Sequence, residues 1–479
     1  MQSSAYEVII IGGGVTGAAI ARELSRYTLR VALLEKEEEL AFGVSKSNSG
    51  IIHPGTQHPP NLLKARLCVQ GNRLIRIISR ELGVDFKEVG ELIVAFEKAD
   101  IPRLHKIQED ARKLGVPRVQ LVDRSWLKVH EPNLNPLIPA ALFVPSAGII
   151  SPFRLVYDLS ENAVKNGVEV FTGTKVETIV RTGMGFELST SRGMFKAKYL
   201  INCAGLYADE LAKMCGIEDF TIVPRKGEEF ILDKKRAYLT AHLIFPLPST
   251  TSKGILVMKT ADGNPMVGPT AEEIFDKEDL STSEEGLQKV LAGARSLIPA
   301  INADDIIAYF AGLRPCAGED FIIRHEEKAP GMITVAGIQS PGLTAAPAIA
   351  LLVKRLLISR GLRFTRKFNF HGHRKKTIHL FAAPFSRAKG LIKKDPAYGD
   401  IVCRCEMVSA KEIKDAINRG AVTLDGVKFR TRAQSGRCHG GFCTTRIMKL
   451  LAEESGRPLT QLTKRGEGSE IVRKDRAGG

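Results

Sequence analysis

Residues 6–35 read YEVIIIGGGVTGAAIARELSRYTLRVALLE, and this stretch decides the architecture of the N-terminal half. The apolar run Val8–Ile11 has the composition of a strand buried on both faces. A glycine turn follows, then AAIARELSR at helical period, then a second apolar strand. Gly12, Gly14 and Gly17 fit G-x-G-x-x-G. Gly12 permits the tight turn. Gly14 lets a pyrophosphate approach the backbone where Val15 and Thr16 open the helix, and Gly17 lets helix and strand pack closely. The phosphates then rest on the helix N-terminus, where free N–H groups and the dipole favour an anion. Eighteen residues after Gly17, the second strand ends in Glu35, with Lys36 beside it. A carboxylate there is placed to accept from adenosine ribose hydroxyls and to repel a 2′-phosphate. The fingerprint alone does not separate FAD from NAD. A single copy points to FAD, with electrons leaving by another route.

The chain has 479 residues, enough for two or three domains. It begins MQSSA and runs straight into the first strand, without the pattern of a signal peptide, so a cytoplasmic location is expected. The longest apolar run, AAPAIALLV at 345–353, is about half a membrane span, and no transmembrane segment is expected. The net charge is +16, and eleven Lys or Arg with no Asp or Glu lie between Arg360 and Lys394. That segment reads as a solvated interdomain linker with a basic face, open to an acidic partner or anionic surface. No motif for nucleic-acid binding accompanies it.

Four of the eight cysteines lie in the last fifth, as IVCRCEMVSA (401–410) and GRCHGGFC (436–443). In a reducing compartment, clustered thiols read as metal ligands or redox groups. Cys403, Cys405, Cys438 and Cys443 form a C-x-C and a C-x4-C pair separated by 32 residues. Structural zinc favours C-x2-C knuckles, so this spacing fits zinc poorly without excluding it.

SNSGIIHPG (47–55), INCAGLYAD (201–209), AGLRP (311–315) and GIQSPGLTAAPAIA (337–350) resemble the D-amino-acid-oxidase-type flavoproteins. Within them they are most similar to glycerol-3-phosphate and L-2-hydroxyglutarate dehydrogenases. The resemblance implies an α/β fold: a Rossmann-type FAD-binding domain with an inserted antiparallel-sheet substrate domain (α+β). FAD segments are expected near 1–90, 145–220 and 320–360, and substrate segments near 90–145 and 220–320. A basic linker is expected over 361–397, a small helical C-terminal [2Fe–2S] domain over 398–460, and a tail over 461–479.

The bottom-up reading of these blocks is compatible. Tyr199–Cys203 is another buried strand, and Ala204 and Gly205 after it let backbone approach the cofactor. Cys203 reads as a small buried filler. A third strand leads through Ser-Pro-Gly into a helix expected to start near Thr344. By resemblance, its N-terminus with Gly342, Leu343 and Thr344 lies beside the flavin ring, where positive potential stabilises the reduced cofactor. Asn48, Ser49 and Gly312 are implied cofactor neighbours, and Val176 resembles the position meeting the adenine.

Oxidising a secondary alcohol requires a base near neutral pH, and His53 directly follows the flavin-lining segment. In the resembling families a histidine here faces substrate. Arg314 matches the arginine that holds a carboxylate or phosphate, anions that a planar fork of donors suits equally. Lys253 resembles a second anion contact. Cys316 is considered as a covalent tether for flavin, but its surroundings do not match the covalent members.

CRCEMVSAKEIKDAINRGAVTLDGVKFRTRAQSGRCHGGFC resembles the bacterioferritin-associated-ferredoxin-like [2Fe–2S] domain, whose four thiolates hold one cluster. Ser409 is placed to cap one helix, Cys443 opens another, and His439 is expected beside the cluster. FAD with a [2Fe–2S] cluster implies a dehydrogenase passing electrons to a partner. In resembling systems the partner is a second flavoprotein subunit, often with a small third one. The leading substrate is sn-glycerol 3-phosphate. L-2-Hydroxyglutarate is the alternative, and a non-catalytic electron-transfer subunit is a third reading.

Overall fold

The computed structural model describes residues 5–248 and 254–473, so Lys253 lies outside the described residues. Five strands form the parallel part of an eight-stranded sheet, in the order Glu169–Phe171, Val31–Leu34, Ala5–Ile11, Gly193–Asn202 and Met332–Ala336. Ile322–His325 adds antiparallel to the last of these. Val176–Thr182 and Gly185–Thr190 continue as a meander from Gly193–Asn202. The central strands are buried on both faces, as their unbroken Val/Ile/Leu runs require.

Helices Val15–Leu24, Leu63–Leu82 and Gly342–Ser359 pack together on this sheet. The last is long and apolar enough to resemble a membrane span, yet most of it is buried in the core. It starts at Gly342, two residues before the expected start. Gly71 lets the second helix lie directly on its first turn, because a Cβ there would sit 1.9 Å from the Thr344 carbonyl oxygen.

A second, nine-stranded sheet draws its strands from 91–144 and 223–316. Val223–Leu232 and Ile306–Cys316 pair along most of their lengths. This sheet is mixed where an antiparallel one was expected. Leu243–Pro246 runs parallel to Glu91–Ala95, and no hairpin dictates the direction of two strands from distant chain segments.

The expected solvated linker is largely anchored. Thr28 donates to the Thr365 carbonyl (2.9 Å), Lys367 to that of Arg26 (2.9 Å) and His371 to Asn166 Oδ1 (2.8 Å). Arg374 pairs with Asp158 (2.9 Å) and Glu161 (2.7 Å), acids that offset part of the segment's charge. Helix Phe385–Lys394 in this segment has no buried residue on any face. The expected tail is also packed as far as Lys464. Leu462 is buried, and Leu424 and Asp425 donate to the Thr463 and Lys464 carbonyls (3.1 and 2.8 Å).

The C-terminal domain contains helices Ala410–Asn418, Leu424–Thr431 and Thr444–Ser455 around their own apolar core. Ser409 and Glu412 form a reciprocal capping box on the first helix. The domain is locked to the dinucleotide half through Glu39, which is buried. One oxygen accepts from Val422 N (2.8 Å) and Thr423 N (3.3 Å), the other from Arg430 Nη1 (2.7 Å). The Arg430 guanidinium stacks 3.8 Å over the Tyr157 ring. Phe429 wedges between Phe42 and Phe153. Removing one partner of a buried ion pair leaves the other charge uncompensated. Glu39→Ala is expected to destabilise the domain interface by about 3–5 kcal/mol in urea unfolding, and Glu39→Ala with Arg430→Met by less than the sum of the two single changes.

Candidate active site and cluster site

One cavity of about 1070 Å³ is lined by both sheets. Its dinucleotide end follows from the turns after the parallel strands. Gly12 has φ +110°, and a Cβ there would lie 2.3 Å from the Cys203 carbonyl oxygen; one at Gly17 would lie 2.0 Å from that of Gly12. Strand, turn and helix can cross this closely only as glycines. Gly12, Gly14, Val15 and Thr16 line the cavity at the helix N-terminus, whereas Gly17 lies behind them. Val15 N–H donates to Ser45 Oγ (2.9 Å), so one terminal donor is already engaged.

Glu35 lines the cavity, but its carboxylate first clamps the turn, accepting from Gly13 N (2.7 Å) and Glu37 N (2.9 Å). Burial pushes its pKa up, opposed by those two N–H groups. Lys36 places its ammonium 3.9 Å over the Tyr207 ring. Asn48 Oδ1 accepts from Gly50 N (2.8 Å), shaping the loop that carries Ser49 and His53. Asn48, Ser49, Val176, Ala204, Gly205, Gly312, Gly342 and Leu343 all reach the cavity wall. Cys203 is buried, and desolvation pushes its thiol pKa up, which keeps it unreactive. The glycine-lined cradle at a helix N-terminus, open along these turns, fits a flavin dinucleotide.

At the other end, His53 is held by its backbone. Its N–H donates to Thr344 Oγ1 (2.9 Å), its carbonyl accepts from Asn72 Nδ2 (3.0 Å), and its Nε2 lies 3.4 Å from Ser340 Oγ. Thr344 is therefore a support for His53 and not part of the cavity wall. Arg314 reaches the cavity, but Nε donates to the Arg225 carbonyl (3.3 Å) and Nη2 to those of Lys226 (3.4 Å) and Thr270 (2.5 Å). Burial lowers its pKa, though a guanidinium stays charged. Cys316 lines the cavity with Sγ 3.3 Å from Gln339 Oε1, and burial raises its pKa. Ser45, Gln57, Arg225 and Glu229 also reach the wall without having been singled out in the sequence. The alternation of Arg225, Gly227 and Glu229 along one strand was the available signal.

The four C-terminal thiols stand as two pairs. Cys405 Sγ lies 3.5 Å from Cys438 Sγ, and Cys443 is hydrogen-bonded to Cys403. Charge couples the pairs, Cys443 to Cys438 and Cys405 to Cys403. Burial disfavours the Cys438 thiolate, but N–H groups of Gly440, Phe442 and Gly441 and the Cys405 thiol outweigh it and hold its pKa below the usual value. Burial raises the Cys443 pKa to about 12. Among the described residues no three ligand side chains gather around one point as a single zinc ion requires. Two thiol pairs suit a cluster with two irons.

A dinucleotide cradle that shares its cavity with an imidazole and with a guanidinium from the second sheet defines a flavin-dependent oxidoreductase. The chain belongs to the FAD dependent oxidoreductase (DAO) family, whose model matches residues 7–356. The BFD-like [2Fe-2S] binding domain matches residues 401–453, so FAD and a [2Fe–2S] cluster are its cofactors. Among relatives, a glycerol 3-phosphate dehydrogenase of Caloramator mitchellensis is 40% identical, with 98% of each chain covered. An L-2-hydroxyglutarate dehydrogenase of Indibacter alkaliphilus is 31% identical, over 72% of this chain and 96% of its own. The L-alpha-glycerophosphate oxidase of Mycoplasma pneumoniae, solved with FAD bound, superposes with a TM-score of 0.74 at 32% identity, covering 77% of this chain and 98% of its own. Replacing Cys443 with Ser is expected to abolish the EPR signal of the dithionite-reduced cluster while flavin content stays unchanged.

Proposed function

We propose that this enzyme oxidises sn-glycerol 3-phosphate to dihydroxyacetone phosphate and passes the electrons through its [2Fe–2S] cluster to a partner subunit. Bound FAD supplies the acceptor for the hydride that leaves C2. His53 takes the C2 hydroxyl proton, held in place by Thr344 and Asn72. Arg314 holds the phosphate, and Lys253 is proposed as a second cation for it.

One strand carries the electron-path part of this reading. Val223–Leu232 presents Arg225, Gly227 and Glu229 to the cavity. Immediately beyond it, Asp233 pairs with Arg437 (2.9 Å) and Lys234 with Glu406 (2.6 Å). Arg437 and Glu406 are the chain neighbours of Cys438 and Cys405. At about 3.3 Å per residue, Glu229 and Asp233 are about 13 Å apart along the strand. The cluster loop is therefore pinned next to the substrate wall. The dehydrogenase relative matches along nearly the whole chain, whereas the oxidase covers only 77% of it. That difference supports the C-terminal domain as the electron exit.

L-2-Hydroxyglutarate is the second reading, favoured by the Indibacter relative. A pure relay role has less support, because His53 and Arg314, which line one cavity, are groups that a relay does not need. The partner in this proposal is a second flavoprotein subunit, possible third subunits being small, and the setting is the cytosol. Exposed helix Phe385–Lys394, with Arg387, Lys389, Lys393 and Lys394 and no acid, is the proposed docking element.

Anaerobic addition of glycerol 3-phosphate is expected to bleach the flavin and produce the reduced-cluster EPR signal. Bleaching by L-2-hydroxyglutarate alone would reverse the substrate assignment, and bleaching by neither would favour the relay role. His53→Ala is expected to lower kcat/KM by about 10²–10⁴-fold with FAD retained. Reversing the four charges of the exposed helix to Glu is expected to weaken co-purification of the partner while leaving flavin reduction by substrate intact.

A further inference from the structure

The substrate wall has a carboxyl whose role the proton and phosphate chemistry does not use. Glu229 is buried and lines the cavity on the same strand face as Arg225 and Gly227. Its stem is closely packed, since a Cβ on Gly268 would lie 3.0 Å from its Cγ. Its Oε2 is buried without a hydrogen-bond partner among the described residues. Arg314 is near enough to favour its ionised form, yet forms no salt bridge with it, and the guanidinium donors described above go to backbone carbonyls. A buried carboxyl on a cavity wall with an unsatisfied oxygen is costly unless a group entering the cavity completes it.

From the reading that the substrate is glycerol 3-phosphate, we infer that Glu229 hydrogen-bonds the free C1 hydroxyl and so orients the substrate, phosphate toward Arg314 and hydroxyl toward Glu229. On this strand face Gly227 lies against the Arg314 guanidinium, since a Cβ there would sit 2.6 Å from Nη2, so the wall changes from cationic to acidic over the two residues to Glu229, about 7 Å at strand rise. A molecule with an anion at one end and a neutral hydroxyl at the other matches that gradient in one direction only. Burial pushes the Glu229 pKa up to about 8 against the pull of Arg314. A hydroxyl suits both forms, donating to the carboxylate and accepting from the acid. Glu229 is thus a specificity residue at the end of the substrate that does not react.

The test pairs two substrates with two variants of the holoenzyme. Propane-1,2-diol 1-phosphate keeps the phosphate and the reacting hydroxyl but lacks the C1 hydroxyl. Wild type is expected to prefer glycerol 3-phosphate over it by about 10- to 100-fold in kcat/KM, the cost of leaving one buried polar group without its partner. Glu229→Leu is expected to lose that preference by losing activity on glycerol 3-phosphate alone. Glu229→Gln, which keeps the shape and the hydrogen bonding, is expected to restore most of it. Wild type that uses both substrates equally overturns the inference without any variant, as does Glu229→Leu with the full preference. If glycerol 3-phosphate does not reduce the wild-type flavin at all, the substrate reading fails instead.

Discussion

The buried carboxylate of Glu39 is the constraint on which the relation between the two cofactor sites depends. It sits in the loop after the second parallel strand, four residues beyond Glu35, and takes N–H donors and a guanidinium from the C-terminal domain. Those donors lie at the start of helix Leu424–Thr431, where the helix dipole adds to the attraction. Salt screens such a pair little, because water is excluded from both partners. The aromatic seam of Phe42, Phe153 and Phe429 adds apolar contact across the same interface. The domain with the thiols is thereby held as part of the flavoprotein body.

A second set of contacts fixes the other side. Glu406 and Arg437 flank the thiols and bind the residues just after strand Val223–Leu232. Arg432 adds Asn264 (3.0 Å). One side of the domain is thus anchored to the dinucleotide half and the other to the substrate sheet. Bridging both limits sliding or rotation of the thiol loop relative to the cavity. A redox site benefits from such rigidity, since one fixed geometry serves every turnover.

Much of this was legible in the sequence. The glycine spacing, the hydrophobic strand runs and Glu35 are local features whose periods and turn chemistry survive folding. Ser409 as a cap and the cysteine spacing are equally local. What escaped was non-local. Glu39 looked like one of several acids in EKEEEL, and nothing in that run says that a residue 391 positions later will meet it. Glu229 sat unremarked in KGEEFIL because its significance comes from the cavity on one face of the strand. The anchoring of the basic segment escaped for the same reason. Its charge reads as solvated until Asp158, Glu161 and Asp85 are brought against it. Arg314 was recognisable by its motif, but its three backbone carbonyl partners were not.

The Glu39 lock also bears on the order of assembly on the ribosome. The turns that form the dinucleotide cradle come from residues before about 345, whereas the groups that cover Glu39 come from 422–430. During synthesis from the N-terminus, the cradle can close while Glu39 still faces water. Burying it is then the work of a stretch that emerges later. Chain order thus lets the dinucleotide half form before the thiol domain docks on it, so that docking reads a flavoprotein surface that has already folded.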